Sequence, residues 1–404
     1  MKNTEPTPNL PAPLWTRDFL LIVAANLVTF LSFQMLMPTL PALATSLGGK
    51  ETAAGLVIAI FTVSAVLMRP FAGRGLDTYG RKIIYIAGLT IFFGSVLGYA
   101  IVPSVLLLLA VRFIHGIGWG LSSTAAGTIA TDLVPRERLG EGMGFYALTG
   151  TVAMAVAPAA GIFLMNEFGF GVLFTVGAAL MLVVMLIANL IEYPALSEVN
   201  TGASAAATDV AKHSGLHAFV EVAALRPSLV VFFMAATYGA IVSFIVLFTK
   251  ELGIENAGPF FAVYAIVLAL TRPLAGSVAD RKGYDIVVVP GTIVTAISLV
   301  VLSQATALPG LLAAGALYGA GFGLVQPALQ AMAVRDVSPR RRGAANGTFF
   351  SFFDLGIGIG SALGGAIAAA IGFSLMYLLT SIPVALALLV YYVTGSKNRE
   401  AEST

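Results

Sequence analysis

An all-α membrane protein is predicted, with twelve transmembrane helices in two pseudo-symmetric six-helix bundles, on three observations. Apolar runs of a length suited to crossing a bilayer recur along the whole chain, charge gathers in the gaps between them, and one set of motifs occurs twice at a fixed offset. Hydrophobic residues fill 58% of the 404 positions and charged residues 10%, where a soluble domain carries roughly a quarter charged. Such a chain cannot cover itself with a water-compatible surface. A helix needs about 20 apolar residues to cross hydrocarbon, and a backbone in lipid must satisfy its own hydrogen bonds, so runs of this length are helices rather than barrel strands.

The spans are placed near 19–40, 52–72, 83–102, 105–131, 142–166, 171–191, 227–249, 257–276, 286–304, 310–334, 343–370 and 374–394. The polar, Ala/Ser/Thr-rich stretch between the sixth and seventh divides the chain into an N-terminal bundle (1–191), a cytoplasmic linker (192–226) and a C-terminal bundle (227–404). The polar first segment, Met1 to Arg17, is followed by an apolar run too long for a signal-peptide core, so the first span is expected to remain in the mature protein. Lys and Arg stay preferentially on the cytoplasmic side of short loops. One side holds Arg17, Arg74, Arg81, Lys82, Arg136, Arg138, Arg226, Arg281, Lys282, Arg335, Arg340, Arg341 and Arg342, together with Lys2, Lys212, Lys397 and Arg399; the other has Lys50 and Lys250. Both termini are therefore expected in the cytoplasm of a multi-pass protein of the cytoplasmic (inner) cell membrane.

Composition also removes several classes of function. A net charge of +2 with no extended basic patch argues against nucleic acid as a partner. Cysteine is absent, which excludes disulfides, thiol nucleophiles and thiolate metal sites. No HExxH, phosphate loop or Ser/His/Asp grouping at a common depth points to an enzyme, and no cofactor or metal is expected. A membrane receptor or membrane enzyme is the reading from another class that the sequence favours least.

The repeat carries more. Arg69-Pro70-Phe71-Ala72-Gly73, with Asp77 and Gly80, recurs as Arg272-Pro273-Leu274-Ala275-Gly276, with Asp280 and Gly283, and each pair stands 203 positions apart. At the same offset, His115-Gly116-Ile117-Gly118-Trp119-Gly120 becomes Tyr318-Gly319-Ala320-Gly321-Phe322-Gly323, and Gly144 becomes Gly347. Three separate motifs at one offset mark a duplication. An Asp just beyond a span can accept from the exposed N–H groups at the start of a neighbouring helix, where the macrodipole favours negative charge. It would act as a releasable latch.

On these residues the chain resembles the major facilitator superfamily, whose G-x-L-A-D-R-x-G-R-K signature between spans 2 and 3 is matched by Gly73, Asp77, Gly80, Arg81 and Lys82. The match departs at Gly75, and the second copy has Tyr284-Asp285 in place of the basic pair, so the second latch is expected to be weaker. Arg112, His115, Gly116 and Gly118 resemble a further family pattern in span 4, with His in place of Gln. The resemblance implies that Asp77 meets the start of span 11 and Asp280, followed by Arg281, the start of span 5, each across the domain boundary. Arg81 and Lys82 would hold the carboxylate, favouring the state closed to the cytoplasm.

Ionisable groups deep in a bilayer cost at least ~2.5 kcal/mol each and need a reason. Asp354, close to mid-depth in span 11, is the candidate proton carrier; Arg112 and His115 in span 4 are candidates for proton coupling or for holding an anionic group. Structural roles for all three remain open. Residues four apart share a helix face, which groups His115, Trp119 and Ser123 in span 4 and Tyr318, Phe322 and Gln326 in span 10. The resemblance assigns spans 1, 4, 7 and 10 to a central cavity, so these faces, with Asn26, Phe30 and Gln34 of span 1 and Tyr238 of span 7, are the expected substrate-binding residues; lateral packing is the rival reading. Gly150, Ala153, Ala157-Pro158 and Gly161 in span 5 soften a pattern of family antiporters, and Gly356, Gly358, Gly360 and Gly364 form its counterpart in span 11. These runs are expected at the domain interface and favour efflux. The function implied is proton-coupled export of small amphipathic or polar molecules by a monomer, with multidrug efflux as the default. Export of an opine-type metallophore, or sugar or nutrient symport, are the alternatives.

Overall fold

The computed structural model describes residues 13–49, 51–193, 219–254 and 257–401, without the side chains of 51, 52, 54, 55 and 394–401. Lys2, Lys50, Lys212, the side chains of Lys397 and Arg399, and most of the expected linker lie outside the described residues. Among the described residues there is no strand.

Among the described residues, eleven helices are long and apolar enough to cross a membrane. They are α1 (Arg17–Ser46), α2 (Glu51–Tyr79), α3 (Arg81–Tyr99), α4 (Val105–Leu133), the continuous Leu139–Leu190, α7 (Val222–Glu251), α8 (Gly258–Lys282), α9 (Asp285–Ser303), α10 (Leu308–Arg335), α11 (Arg342–Ile371) and α12, which is made of Phe373–Leu379 and Ser381–Ala401. Leu139–Leu190, at 52 residues, is about twice a crossing length, and its helical backbone breaks at Gly169 (φ 81°, ψ 173°). The break divides it into α5 (139–168) and α6 (170–190), giving the twelve crossings expected. Only a residue without Cβ adopts that φ cheaply. Helix α7 begins at Val222 rather than near 227, so Pro227 lies inside it as its sixth residue.

Local sequence explains the other ends. Thr16 and Ser104 cap α1 and α4 by accepting from the N–H groups of Phe19 (3.2 Å) and Leu107 (3.4 Å). Gly80 (φ 95°) and Gly283 (φ 90°) make the corresponding turns from α2 to α3 and from α8 to α9. Large apolar side chains on the outer surface, among them Leu67, Phe71, Leu186, Leu270 and Leu274, are more than half exposed, as a lipid-facing shell requires.

The two halves pack alike at close backbone contacts. A Cβ on Gly116 would strike Phe61 O, and one on Gly319 would strike Tyr264 O; Gly88 lies against Ser122 and Gly291 against Val325. Each of these correspondences keeps the offset of 203. The small-residue runs of α5 and α11, expected at the interface between halves, instead face their own bundles. Gly161 abuts Met35 of α1, and Gly356 and Gly360 abut Phe232 and Ala236 of α7. Small residues let the helix axes inside each bundle approach; other faces of α5 and α11 meet the opposite half.

Candidate functional site at the interface of the two halves

Each half contributes a latch at the Arg-rich end. Asp77 at the end of α2 accepts from the N–H groups of Gly343 (2.9 Å) and Ala344 (2.8 Å) at the start of α11. Asp280 at the end of α8 accepts from Gly140 (2.9 Å) and Glu141 (2.9 Å) at the start of α5. A carboxylate there satisfies otherwise orphaned donors and meets the positive end of the helix dipole. Gly73 and Gly276 make the approach possible, since a Cβ on either would collide with the carbonyl oxygen of Gly343 or Gly140.

The surroundings of the two latches differ. Arg81, almost fully buried, donates to Asp77 (3.0 Å), to Asp132 of α4 (2.9 Å), to Leu76 O (2.8 Å) and, across the interface, to Pro339 O (2.6 Å). Asp132 also receives Arg342 of α11 at 3.1 Å. Around the second latch Arg281 is exposed, and the place of Arg81 is taken by Tyr284, with Arg335 lying over its ring at 5.4 Å. Lys82 is exposed and faces the Tyr193 ring at 5.9 Å, so Arg81 alone of the basic pair holds the carboxylate.

About two turns deeper the duplication places two arginines across the interface. Arg69 of α2 grips Asp354 of α11, with Nε at 2.8 Å and Nη2 at 2.7 Å from Oδ2, while Nη1 donates to Ser123 (3.1 Å) and Thr124 (3.3 Å) of α4. Its guanidinium also lies 5.0 Å from the Phe350 ring. The Asp354 side chain is 16% exposed and that of Arg69 3%. Arg272 of α8 reaches α5 in the same way, donating from Nη1 to Ala147 O and to Thr151 (2.7 Å), and from Nη2 to Gln326 of α10 (3.1 Å). Ser123 corresponds to Gln326, and Asp354 to Thr151, both at the offset of 203.

Aromatic walls stand beside these arginines. In the N-terminal half, Trp119 stacks on Phe33 (4.1 Å between centroids) and meets Phe30 edge-on (5.0 Å). In the C-terminal half, Phe322 stacks on Tyr238 (5.6 Å) and Tyr318 (5.7 Å). The Tyr238 hydroxyl reaches Met154 of the opposite half at 3.1 Å. Tyr318 is fully buried against Thr237 (2.7 Å). Asn26 is engaged inside its own bundle, donating to Thr149 (2.7 Å) and accepting from Tyr146 (3.0 Å). Gln34 is partly exposed on α1.

Arg112 and His115 stand apart from this interface. Arg112 donates to Val57 O (3.0 Å), lies 4.1 Å from the Phe61 ring and donates to His115 Nδ1 (3.2 Å); Tyr99 reaches the same nitrogen at 2.9 Å. A guanidinium only donates, so Nδ1 is the acceptor and the ring proton sits on Nε2. That Nε2 is buried without a partner. The two residues that the sequence marks for proton coupling thus tie α4 to α2 and α3 inside one bundle.

The sequence profile of the Major Facilitator Superfamily matches residues 22–264 and 228–404. The chain belongs to the Major Facilitator Superfamily. It is 30% identical to the uncharacterized MFS-type transporter YhhS of Escherichia coli K12 over 91% of this chain and 90% of that protein. It is 26% identical to the multidrug resistance protein MdtG of Citrobacter koseri over 91% and 92%. Among solved structures, FucP in the outward conformation superposes with a TM-score of 0.77 at 15% identity, covering 94% of this chain and 99% of that one, which establishes the shared fold. The protein is therefore a multi-pass membrane transporter of this superfamily.

Sequence reasoning alone treated Arg69 and Arg272 as landmarks of the repeat and passed over Thr151, Asp132 and Arg342. The signal for the first three was present in the offset, which pairs 69 with 272 and 151 with 354. Asp132 gave none, because an acid at the end of a span reads as an ordinary boundary charge.

Proposed function

We propose that this transporter exports small amphipathic or polar molecules by proton-coupled antiport, as a monomer with alternating access, in the cytoplasmic cell membrane with its Arg-rich end and both termini in the cytoplasm. The observation that carries the reading is the buried Arg69–Asp354 pair, which joins α2 of one half to α11 of the other. Because the pair spans the interface, it exists only while the cytoplasmic ends are together. Ionised Asp354 therefore favours the outward-facing state, and a proton arriving from outside cancels the attraction and permits opening to the cytoplasm. There the proton leaves, substrate enters, and the restored ion pair closes the cytoplasmic side again. The cycle moves protons in and substrate out.

Support for export comes from the likeness to MdtG, whose name is that of a multidrug resistance protein. The aromatic walls around Trp119 and Phe322 suit amphipathic molecules. Ser123, Gln326, Tyr238 and Phe30 border the interface as binding groups, and the two Asp latches hold the cytoplasmic end until the proton step releases the deeper pair.

The test is transport in proteoliposomes with an imposed pH gradient. Asp354→Asn is expected to abolish gradient-driven efflux of an amphipathic dye while leaving gradient-independent exchange. Efflux in that variant that still follows the gradient would remove Asp354 from the coupling step.

A further inference from the structure

The duplication leaves one buried guanidinium without the acid its counterpart has. Arg69 presents the Nε/Nη2 edge of its fork to a carboxylate, both nitrogens converging on Oδ2 of Asp354, and such charge-assisted bonds are the strong ones. Arg272 is 9% exposed, its Nε has no acceptor, and its Nη2 meets the Gln326 amide oxygen. Where the other half supplies Asp354, this one supplies Thr151. Among the described residues no carboxylate lies within ion-pair distance of Arg272. A buried cation with an orphaned donor is costly unless paired.

We infer that Arg272 is the receptor for the carboxylate of an anionic substrate, with Tyr238, Tyr264 and Phe322 receiving an aromatic or apolar body. Two of the contacts that satisfy Arg272 in the present state, Ala147 O and Thr151 of α5, belong to the opposite half. When the cytoplasmic ends part, both are withdrawn and Gln326 remains. A carboxylate entering from the cytoplasm replaces the lost acceptors and fills the open edge of the fork. Phe322 lies four residues before Gln326 on α10, and Tyr238, stacked on Phe322 at 5.6 Å, stands 6.4 Å from the Tyr264 ring. The inference assigns a substrate class, small organic monocarboxylates, to the export route proposed above and rests on that reading for direction only.

The test is equilibrium binding to the purified full-length protein in detergent without a gradient, using benzoate, phenylacetate and indole-3-acetate, each against its own amide. At least one carboxylate is expected to bind about 10-fold or more tightly than its amide, as a charge-assisted hydrogen bond implies. Arg272→Gln should erase the preference and Arg272→Lys should keep part of it. Thr151→Asp is the decisive variant: it supplies internally the acid that the other half already has, so it should abolish the preference while thermal stability holds or rises. Equal affinity for all three acids and their amides, or a preference that survives Thr151→Asp in folded protein, overturns the assignment. Proton coupling is read separately, because Asp354→Asn should lose gradient-driven transport yet retain the carboxylate preference. Loss of either result alone therefore identifies which of the two readings has failed.

Discussion

The two halves build the same interface with different chemistry. The N-terminal half closes on α11 with charge throughout: Asp77 on the helix start, Arg81 behind it, Asp132 and Arg342 linked beside it, and Arg69 on Asp354 about two turns deeper along α2. The C-terminal half closes on α5 with Asp280 on the helix start and Arg272 on neutral acceptors. The shared part, a carboxylate on backbone N–H groups and a glycine where helices touch, is what closure needs mechanically. In the proposed cycle, the part that differs allocates protons to one side of the interface, and it leaves a buried arginine without an acid on the other.

This contrast is tested most severely by removing each arginine in turn. Arg69→Met strands a buried carboxylate, and breaking one side of a buried pair costs about 3–5 kcal/mol. Arg272→Met strands only neutral acceptors, which cost about 1–3 kcal/mol when left unsatisfied. Thermal denaturation in detergent should show the larger loss for Arg69→Met, and adding Asp354→Leu should recover most of it without restoring coupled transport. Equal losses for the two single variants would mean that the halves close by the same energetics despite their different residues.

The latches should differ in the same direction by a smaller amount. Asp77→Asn removes a charge-assisted cap and one of the two acids that pair with Arg81, whereas Asp280→Asn removes the cap alone. Each charged hydrogen bond is worth about 1.5–3 kcal/mol, so Asp77→Asn should raise the open population about tenfold or more, and Asp280→Asn should raise it less. The chain has no cysteine, so spin labels attached at Tyr79 and Ser338, both exposed at the latch end, report the opening without background. A larger opening in Asp280→Asn would reverse the assignment of the stronger latch.

How much of this was legible beforehand follows from what constrains each element. The spans could be read closely because hydrocarbon thickness sets their length and unsatisfied backbone is not tolerated in lipid. Even the pair fused into Leu139–Leu190 separates where the sequence places a loop, at Gly169. The latches could be read because a glycine contact and a helix-capping carboxylate each demand one residue type at a fixed spacing. Arg112 and His115 were harder, since helix periodicity shows which residues share a face but not which neighbour covers it. Here Phe61, Phe92 and Tyr99 close over His115, so the His115 end of a face expected in the cavity is interior to one bundle, while Ser123 on the same face reaches Arg69 at the interface. The deep clamps lay between these cases. Their arginines were conspicuous in sequence, while Thr151 was visible only as the position opposite Asp354 in the repeat.

The smallest expected effect comes from rebuilding the charged latch where it is missing. Tyr284→Arg puts a guanidinium four residues after Asp280, the spacing at which Arg81 meets Asp77 at 3.0 Å. Alone it should gain little, because an ion pair near the surface contributes about 0–1 kcal/mol and because Arg335 stands at the position equivalent to Asp132 and repels it. With Arg335→Asp added, the new arginine has the second acid that Arg81 has, and the closed population should rise further than the sum of the two single changes. Spin-label distances measured on both single variants and the double variant form a complete cycle. Strict additivity would mean that Asp132 serves Arg342 rather than Arg81, which would move the source of the stronger latch from α2 to the start of α11.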